Sequence, residues 1–233
     1  MAEPKPETDL RDRLAIALDV DDLVAALRIG RDVRPWFGVA KIGLELFIAS
    51  GPEAIGALTQ LGYKVFLDLK LDDIPTTVER AARIAGSLGV SYLTVHARGG
   101  VSILRAGVTG LADGAHKAGL PPPVALGVTV LTSDDTAPAH IFPQRVQTAV
   151  EAGCGGIVCA ATDVPAAKEI APDLMTVVPG IRPQGADAGD QRRAATPQEA
   201  LDAGADLLVV GRPVTRADDR VAAAAALVES MTA

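Results

Sequence analysis

Eight short apolar runs, rich in Val, Ile, Leu and Ala, recur along the chain and alternate with amphipathic, Ala-rich stretches. The runs cover 14–19, 38–43, 64–70, 91–96, 124–130, 155–160, 175–180 and 206–211, and each predicts a β-strand. Helices are predicted over 22–33, 52–61, 75–88, 101–117, 140–152, 164–170, 197–203 and 216–230. Strict alternation of strand and helix implies parallel strands joined by right-handed crossovers. Eight such units within 233 residues are the count of a closed (β/α)8 TIM barrel of the α/β class; a doubly wound sheet uses fewer strands. Neither a linker nor a low-complexity tract divides the chain, and Pro121-Pro122-Pro123 reads as a stiff loop before the fifth strand. The expected organisation is a single barrel domain over 1–233, with the polar residues 1–13 as a mobile or peripheral N-terminal segment. Two helix starts carry capping-box patterns: Thr76-x-x-Glu79, and Thr196-Pro197-x-Glu199 with proline at the first helical position.

Composition narrows the function classes. The net charge of −7, from 22 basic against 29 acidic residues, disfavours a general polyanion binder, because a phosphate backbone demands clustered positive charge. Aromatics at 3% argue against stacking platforms for nucleic acid or carbohydrate. One phosphate group held by a local arginine and backbone amides remains compatible. No apolar stretch reaches the roughly 18–20 residues of a membrane span or the core of a signal peptide. Cys154 and Cys159 fit neither a zinc pair nor a disulfide framework, so buried thiols in a reducing cytosol are expected.

Barrel enzymes place their chemistry at the C-terminal ends of the strands. Here those ends carry Asp19, Lys41, Asp68 and Lys70, His96, Thr129 and Thr132, Arg182, and Gly211-Arg212. The third strand is the most informative, because alternation directs Asp68 and Lys70 together into the mouth. Asp73 follows where strand gives way to helix. Carboxylates flanking an ammonium keep it protonated, which makes Lys70 a poor Schiff-base nucleophile and a competent proton donor. Lys41 extends the group to an alternating Lys–Asp–Lys–Asp array. For Asp73 alone, capping the next helix is as good a reading as catalysis. For the whole array a purely structural role is weak, since burying four charges costs several kcal/mol per ion. His96 is as compatible with a structural hydrogen bond as with a ligand contact.

A phosphate grip forms the second constellation. Gly211-Arg212 follows the eighth strand, where barrels often bind phosphate, and combines a free amide with a planar fork of donors. The long polar segment from Arg182 to Arg193 reads either as a solvated loop or as a lid over a phosphorylated substrate.

Taken together, these segments resemble the orotidine 5′-monophosphate decarboxylase family in its bacterial form. The run Asp68-Leu69-Lys70-Leu71-Asp72-Asp73-Ile74-Pro75 matches the family's Asp-x-Lys-x-x-Asp-Ile-Pro. Ala17-Leu18-Asp19, Lys41-Ile42-Gly43, His96-Ala97-x-Gly99-Gly100, Thr129-Val130-Leu131-Thr132-Ser133, Pro179-Gly180-Ile181-Arg182, Gly189-Asp190-Gln191 and Val210-Gly211-Arg212 follow in family order. Asp72 departs from the pattern, since relatives often carry His there. The resemblance implies decarboxylation of orotidine 5′-monophosphate to uridine 5′-monophosphate, the last step of de novo pyrimidine nucleotide synthesis, with no metal or organic cofactor. It implies that Lys70 protonates C6 of the pyrimidine, that Asp68 faces the departing carboxylate, and that Lys41 orders the charges and contacts the ribose. Asp19 would bind ribose hydroxyls and Thr132 the base; Arg182, Gln191, Gly211 and Arg212 would hold the 5′-phosphate. Asp73 and Thr77 would reach the site of a neighbouring subunit, which makes a homodimer the expected assembly, and Ile74 joins the substrate-binding set. A cytoplasmic enzyme with no nucleic-acid or membrane partner is the expectation.

Two rivals share parts of this pattern. Sugar-phosphate decarboxylases and aldolases of the same fold, such as the 3-keto-gulonate 6-phosphate and hexulose 6-phosphate enzymes, carry a similar Asp-x-Lys-x-x-Asp but depend on a metal. Ile74-Pro75, the Thr132 segment and Gln191 favour the nucleotide. A catalytically silent barrel that binds a phosphorylated ligand would have no need of Asp68, Lys70 and Asp73 together.

Overall fold

The structure is a computed structural model that describes residues 10–134, 136–183 and 193–231. Its strands are β1 (Leu14–Ala17), β2 (Val39–Ile42), β3 (Lys64–Leu71), β4 (Tyr92–His96), β5 (Val124–Val128), β6 (Gly156–Val158), β7 (Met175–Val178) and β8 (Leu207–Val210). All pair in parallel and in sequence order, and β1 pairs with both β2 and β8, so the sheet closes as an eight-stranded barrel.

Alternation along the strands builds two cores. On β1, Leu14 and Ile16 pack outward against the helices, whereas Ala15 and Ala17 join Val39, Phe66, Leu126, Val177, Leu207 and Val209 inside the barrel. Both faces of the strands are therefore largely buried, which is why they read as apolar runs. The inward series turns polar near the mouth. Val39 is followed by Lys41, Phe66 by Asp68, and Tyr92 by Thr94. Phe66 and Tyr92 meet edge to face beneath this polar layer, with ring centroids 6.0 Å apart.

The helices are α1 (Leu23–Val33), α2 (Leu44–Ser50), α3 (Pro52–Gln60), α4 (Pro75–Ser87), α5 (Val101–Lys117), α6 (Ile141–Ala152), α7 (Val164–Ile170), α8 (Pro197–Asp202), α9 (Arg212–Thr215) and α10 (Arg220–Glu229). The capping box at Thr196 and Glu199 is formed in both directions. The one expected at Thr76 and Glu79 is not: α4 starts at Pro75, with Ile74 as its N-cap and no side-chain cap. Proline favours the first helical position and keeps its predecessor extended, so Thr76 falls inside the first turn. Glu79 pairs instead with Arg83 one turn on. The predicted helix over 216–230 begins only at Arg220, where the Asp219 side chain caps the N–H of Ala222. The sequence pattern predicts neither α2 nor α9.

At the opposite end of the barrel, Leu10–Arg13 form a 3-10 turn tied down by the N–H of Gly38 donating to the Arg11 carbonyl (2.7 Å) and by Arg13 donating to the Ala205 carbonyl (2.8 Å). That part of the N-terminal segment is peripheral and anchored; residues 1–9 lie outside the described residues. No helix among the described residues is long and apolar enough to cross a membrane.

Candidate active site

A cavity of about 440 Å3 opens at the C-terminal mouth of the barrel. One side is lined by Asp19, Lys41, Glu45, Asp68 and Lys70, from β1 to β3 and the start of α2. The other side is lined by Arg182, Gly211, Arg212 and Arg216, beyond β7 and β8. Leu131, Thr132 and Ser133, following β5, form a third wall.

The acidic and basic groups on the first side form a continuous chain. Asp19 accepts from Lys41 Nζ at 2.9 Å, and the same Nζ lies 3.6 Å from Asp68. Asp68 in turn accepts from Lys70 Nζ at 2.9 Å on both carboxylate oxygens. Two residues of each sign thus alternate, with no net formal charge. Burial by itself would raise the pKa of Asp68, but the ammonium groups of Lys41 and Lys70, with hydrogen bonds from Lys70 and Thr94, outweigh it and hold the carboxyl below its ordinary value. Gly43 is part of this packing: a Cβ there would come within 2.8 Å of Asp19 Oδ1 and 3.3 Å of Lys41 Nζ.

Lys70 reaches the mouth by a route that simple alternation does not describe. Pairing of β3 with β4 runs Leu67↔Leu93 and then Leu71↔Val95, so four steps on β3 span two on β4. The extra length bulges, and within it Lys70 adopts φ +50°, the only positive φ of a non-glycine among the described residues. Its N–H donates to Thr94 Oγ1 at 2.9 Å.

The chain's own cavity leaves out Asp73, Ile74 and Thr77. Asp73 accepts the N–H of Ile74 at 2.6 Å and takes no part in the ion-paired chain among the described residues. All three are exposed, Ile74 by 65%. Gln191 lies outside the described residues, as does most of the segment between Arg182 and Arg193. His96 is buried and does not line the cavity; burial first, and then the Arg98 charge, lower its pKa. Thr129 is likewise absent from the lining, donating its hydroxyl to the Val158 carbonyl at 2.7 Å.

The chain that builds this mouth is similar to known proteins over nearly its whole length. The family described as orotidine 5′-phosphate decarboxylase / HUMPS matches residues 12–227. The chain belongs to this family. It is 47% identical over 227 residues to the orotidine 5′-phosphate decarboxylase of Anaeromyxobacter sp. (strain K), covering 93% of this chain and 96% of that relative. The corresponding protein of Moorella thermoacetica (strain ATCC 39073 / JCM 9320) is 42% identical over 229 residues, with 93% and 91% covered. The crystal structure of orotidine 5′-phosphate decarboxylase from Lactobacillus acidophilus superposes with a TM-score of 0.81 at 36% identity, covering 95% of this chain and all of that one.

Several residues in and around the site of this member of the orotidine 5′-phosphate decarboxylase / HUMPS family carry no signal in the sequence. Thr94 reads as one more β-branched strand residue, and Glu45 and Arg216 lie on helical turns whose sequence does not point to the mouth they line. Arg193 reads in the sequence as the end of a polar loop, yet it pairs with Asp163 at 2.6 Å and donates to the Leu131 carbonyl at 3.2 Å, joining segments that follow β5, β6 and β7. Asp72, the departure from the family pattern, accepts from Arg98 Nε at 2.6 Å and so stands outside the charge chain.

Proposed function

We propose that the chain converts orotidine 5′-monophosphate to uridine 5′-monophosphate, the last step of de novo pyrimidine nucleotide synthesis, without a metal or organic cofactor. The observation that carries this reading is the two-ended cavity. A phosphate suits the arginine-lined end, and a reaction that gathers negative charge on carbon suits the lysine-bearing end. Arg182, Gly211 and Arg212, with Gln191, take the 5′-phosphate in this reading. Asp19 and Lys41 take ribose hydroxyls, Thr132 contacts the base, and Lys70 faces C6.

Cleaving the bond from C6 to its carboxylate leaves an electron pair on C6 with no obvious sink, so its stabilisation is electrostatic. The Lys70 ammonium is fixed beside Asp68 before the reaction and needs little reorganisation. A proton passes from Nζ to C6 as carbon dioxide departs, and water returns a proton to the amine. Asp68, kept ionised by its neighbours, places negative charge beside a carboxylate that becomes neutral carbon dioxide. Binding energy from the phosphate, remote from C6, assembles the site.

Asp73, Ile74 and Thr77 complete the site of a neighbouring subunit in a homodimer. Their exposure at the start of α4 supports this, as does their absence from the chain's own cavity. A reducing, cytoplasmic setting suits the buried free thiols of Cys154 and Cys159.

The test is an absorbance assay of orotidine 5′-monophosphate decarboxylation in EDTA. Wild type is expected to turn over, and Lys70→Ala to lose at least about 10³-fold in kcat. No turnover in EDTA, restored by a divalent metal, would overturn the cofactor-free reading and point to metal-dependent sugar-phosphate chemistry. Substantial activity in Lys70→Ala would remove Lys70 from the proton transfer.

A further inference from the structure

We propose that Thr94 is a positioning residue for the proton-donating lysine, its single hydroxyl fixing both the backbone of Lys70 and the carboxylate of Asp68. This rests on the reading of Lys70 as the proton donor. The starting point is the β3 bulge, where strand pairing lapses between Leu67 and Leu71. A backbone N–H in that interval has no regular ladder partner, and leaving it unpaired in a barrel interior costs about 1–3 kcal/mol. The left-handed conformation of Lys70 adds about 1–2 kcal/mol for a residue with a Cβ. Something outside β3 has to hold this arrangement.

Thr94 is placed to do so. It lies on β4 between Leu93 and Val95, the two residues that bracket the bulge from across the ladder. It follows Tyr92 on the inward face and is fully buried. Its Oγ1 accepts the Lys70 N–H at 2.9 Å and donates its own proton to Asp68 Oδ1 at 3.0 Å. One hydroxyl, acting as acceptor and donor at once, thus ties the root of the Lys70 side chain to the carboxylate that its Nζ contacts. Both ends of that side chain are located by one fixed point. Thr94 does not line the cavity, so it acts through Lys70 and Asp68.

The requirement is specific to a hydroxyl. Valine copies the shape but neither accepts nor donates, whereas serine keeps both functions and loses a methyl. Displacing a reacting group by about 1 Å can cost about 10²-fold. Thr94→Val is therefore expected to lower kcat by about 10- to 100-fold, with KM for orotidine 5′-monophosphate changed by less than about threefold, because the arginine pole is untouched. Thr94→Ser is expected to stay within about threefold of wild-type kcat. Amide hydrogen exchange at Lys70 supplies a readout independent of activity: slow in wild type and Thr94→Ser, and faster in Thr94→Val by at least about tenfold relative to amides elsewhere on β3 and β4. If Thr94→Val does not fold, Thr94→Ala takes its place with the same expected split.

Wild-type kcat in the hydroxyl-free variant would overturn the proposal. So would equal losses in the valine and serine variants, which would assign the effect to packing, or a loss confined to KM. Activity surviving in Lys70→Ala would refute the proton-donor reading instead, and the exchange result would still decide whether Thr94 holds the Lys70 backbone.

Discussion

Asp68 meets two ammonium groups and one hydroxyl, and its titration follows from that company. Its folded pKa is depressed below the usual aspartate value, because Lys41 and Lys70 with their hydrogen bonds outweigh the burial that would raise it. A depressed carboxyl contributes stability that is fully present above its unfolded pKa and is lost as pH falls through the folded one. Asp68→Asn leaves Lys41 and Lys70 short of a partner, so it is expected to destabilise the protein by up to about 3 kcal/mol near neutral pH. Protonated Asp68 has the charge of asparagine, so the gap closes at pH values below the ordinary aspartate range. Urea denaturation of the two proteins across pH 2.5–7 checks this; a gap that stays constant would detach Asp68 from the charge chain. At this scale the sequence was legible where a charge ended an apolar strand: Asp19, Lys41, Asp68 and Lys70 all declared themselves. It was opaque where function rests on backbone shape. A lysine at φ +50° leaves no compositional trace, and Thr94 shares its residue type with ordinary strand positions.

Elements were legible in kind and order because the strands are largely buried on both faces and most helices carry a clear apolar stripe. Their ends were less so: the fifth run, expected to reach residue 130, ends as a strand at Val128, and only the Thr129 N–H continues the ladder, to the Val158 carbonyl, before the chain turns toward Thr132. Nor does a stripe reveal how closely two helices approach. On α5, a Cβ at Gly110 would lie 2.1 Å from the Glu79 carbonyl oxygen, and one at Gly114 would lie 1.9 Å from that of Arg83. The glycines thus let α5 press against the backbone of α4, the helix that begins beside Asp73 and contains Thr77. A backbone obstacle cannot rotate away as a side chain can. Gly110→Ala is expected to destabilise by about 2–3 kcal/mol or more, the upper range of overpacking. Gly56→Ala on α3 is the matched control: a Cβ there meets nothing within 4 Å, so the change is expected to stabilise by about 0.5–1 kcal/mol through the unfolded chain. Thermal unfolding of both variants reads the contrast, and similar shifts of the same sign would show that α4 and α5 do not depend on this contact.

At the scale of the whole molecule, one barrel supplies a charge chain and an arginine pole but leaves Asp73 and Thr77 facing solvent. The sequence placed Asp73 near Lys70 and left its role divided between cap and catalysis. In the fold Asp73 neither caps α4 nor, among the described residues, joins the ion pairs of its own chain. If each site of a homodimer takes Lys70 from one subunit and Asp73 from the other, lesions at the two positions can be sorted by mixing. A hybrid of Lys70→Ala and Asp73→Ala subunits holds one site with both lesions and one with neither. Random exchange of equal amounts makes half of the dimers hybrid, so about a quarter of all sites become intact, and activity is expected to rise to about a quarter of wild type. Each parent alone stays near its own low background. The measurement is decarboxylation before and after subunit exchange, with exchange verified by native mass spectrometry of differently tagged subunits. If both residues instead served one site within a chain, every hybrid site would carry one lesion, and complete exchange would leave activity at the parental mean.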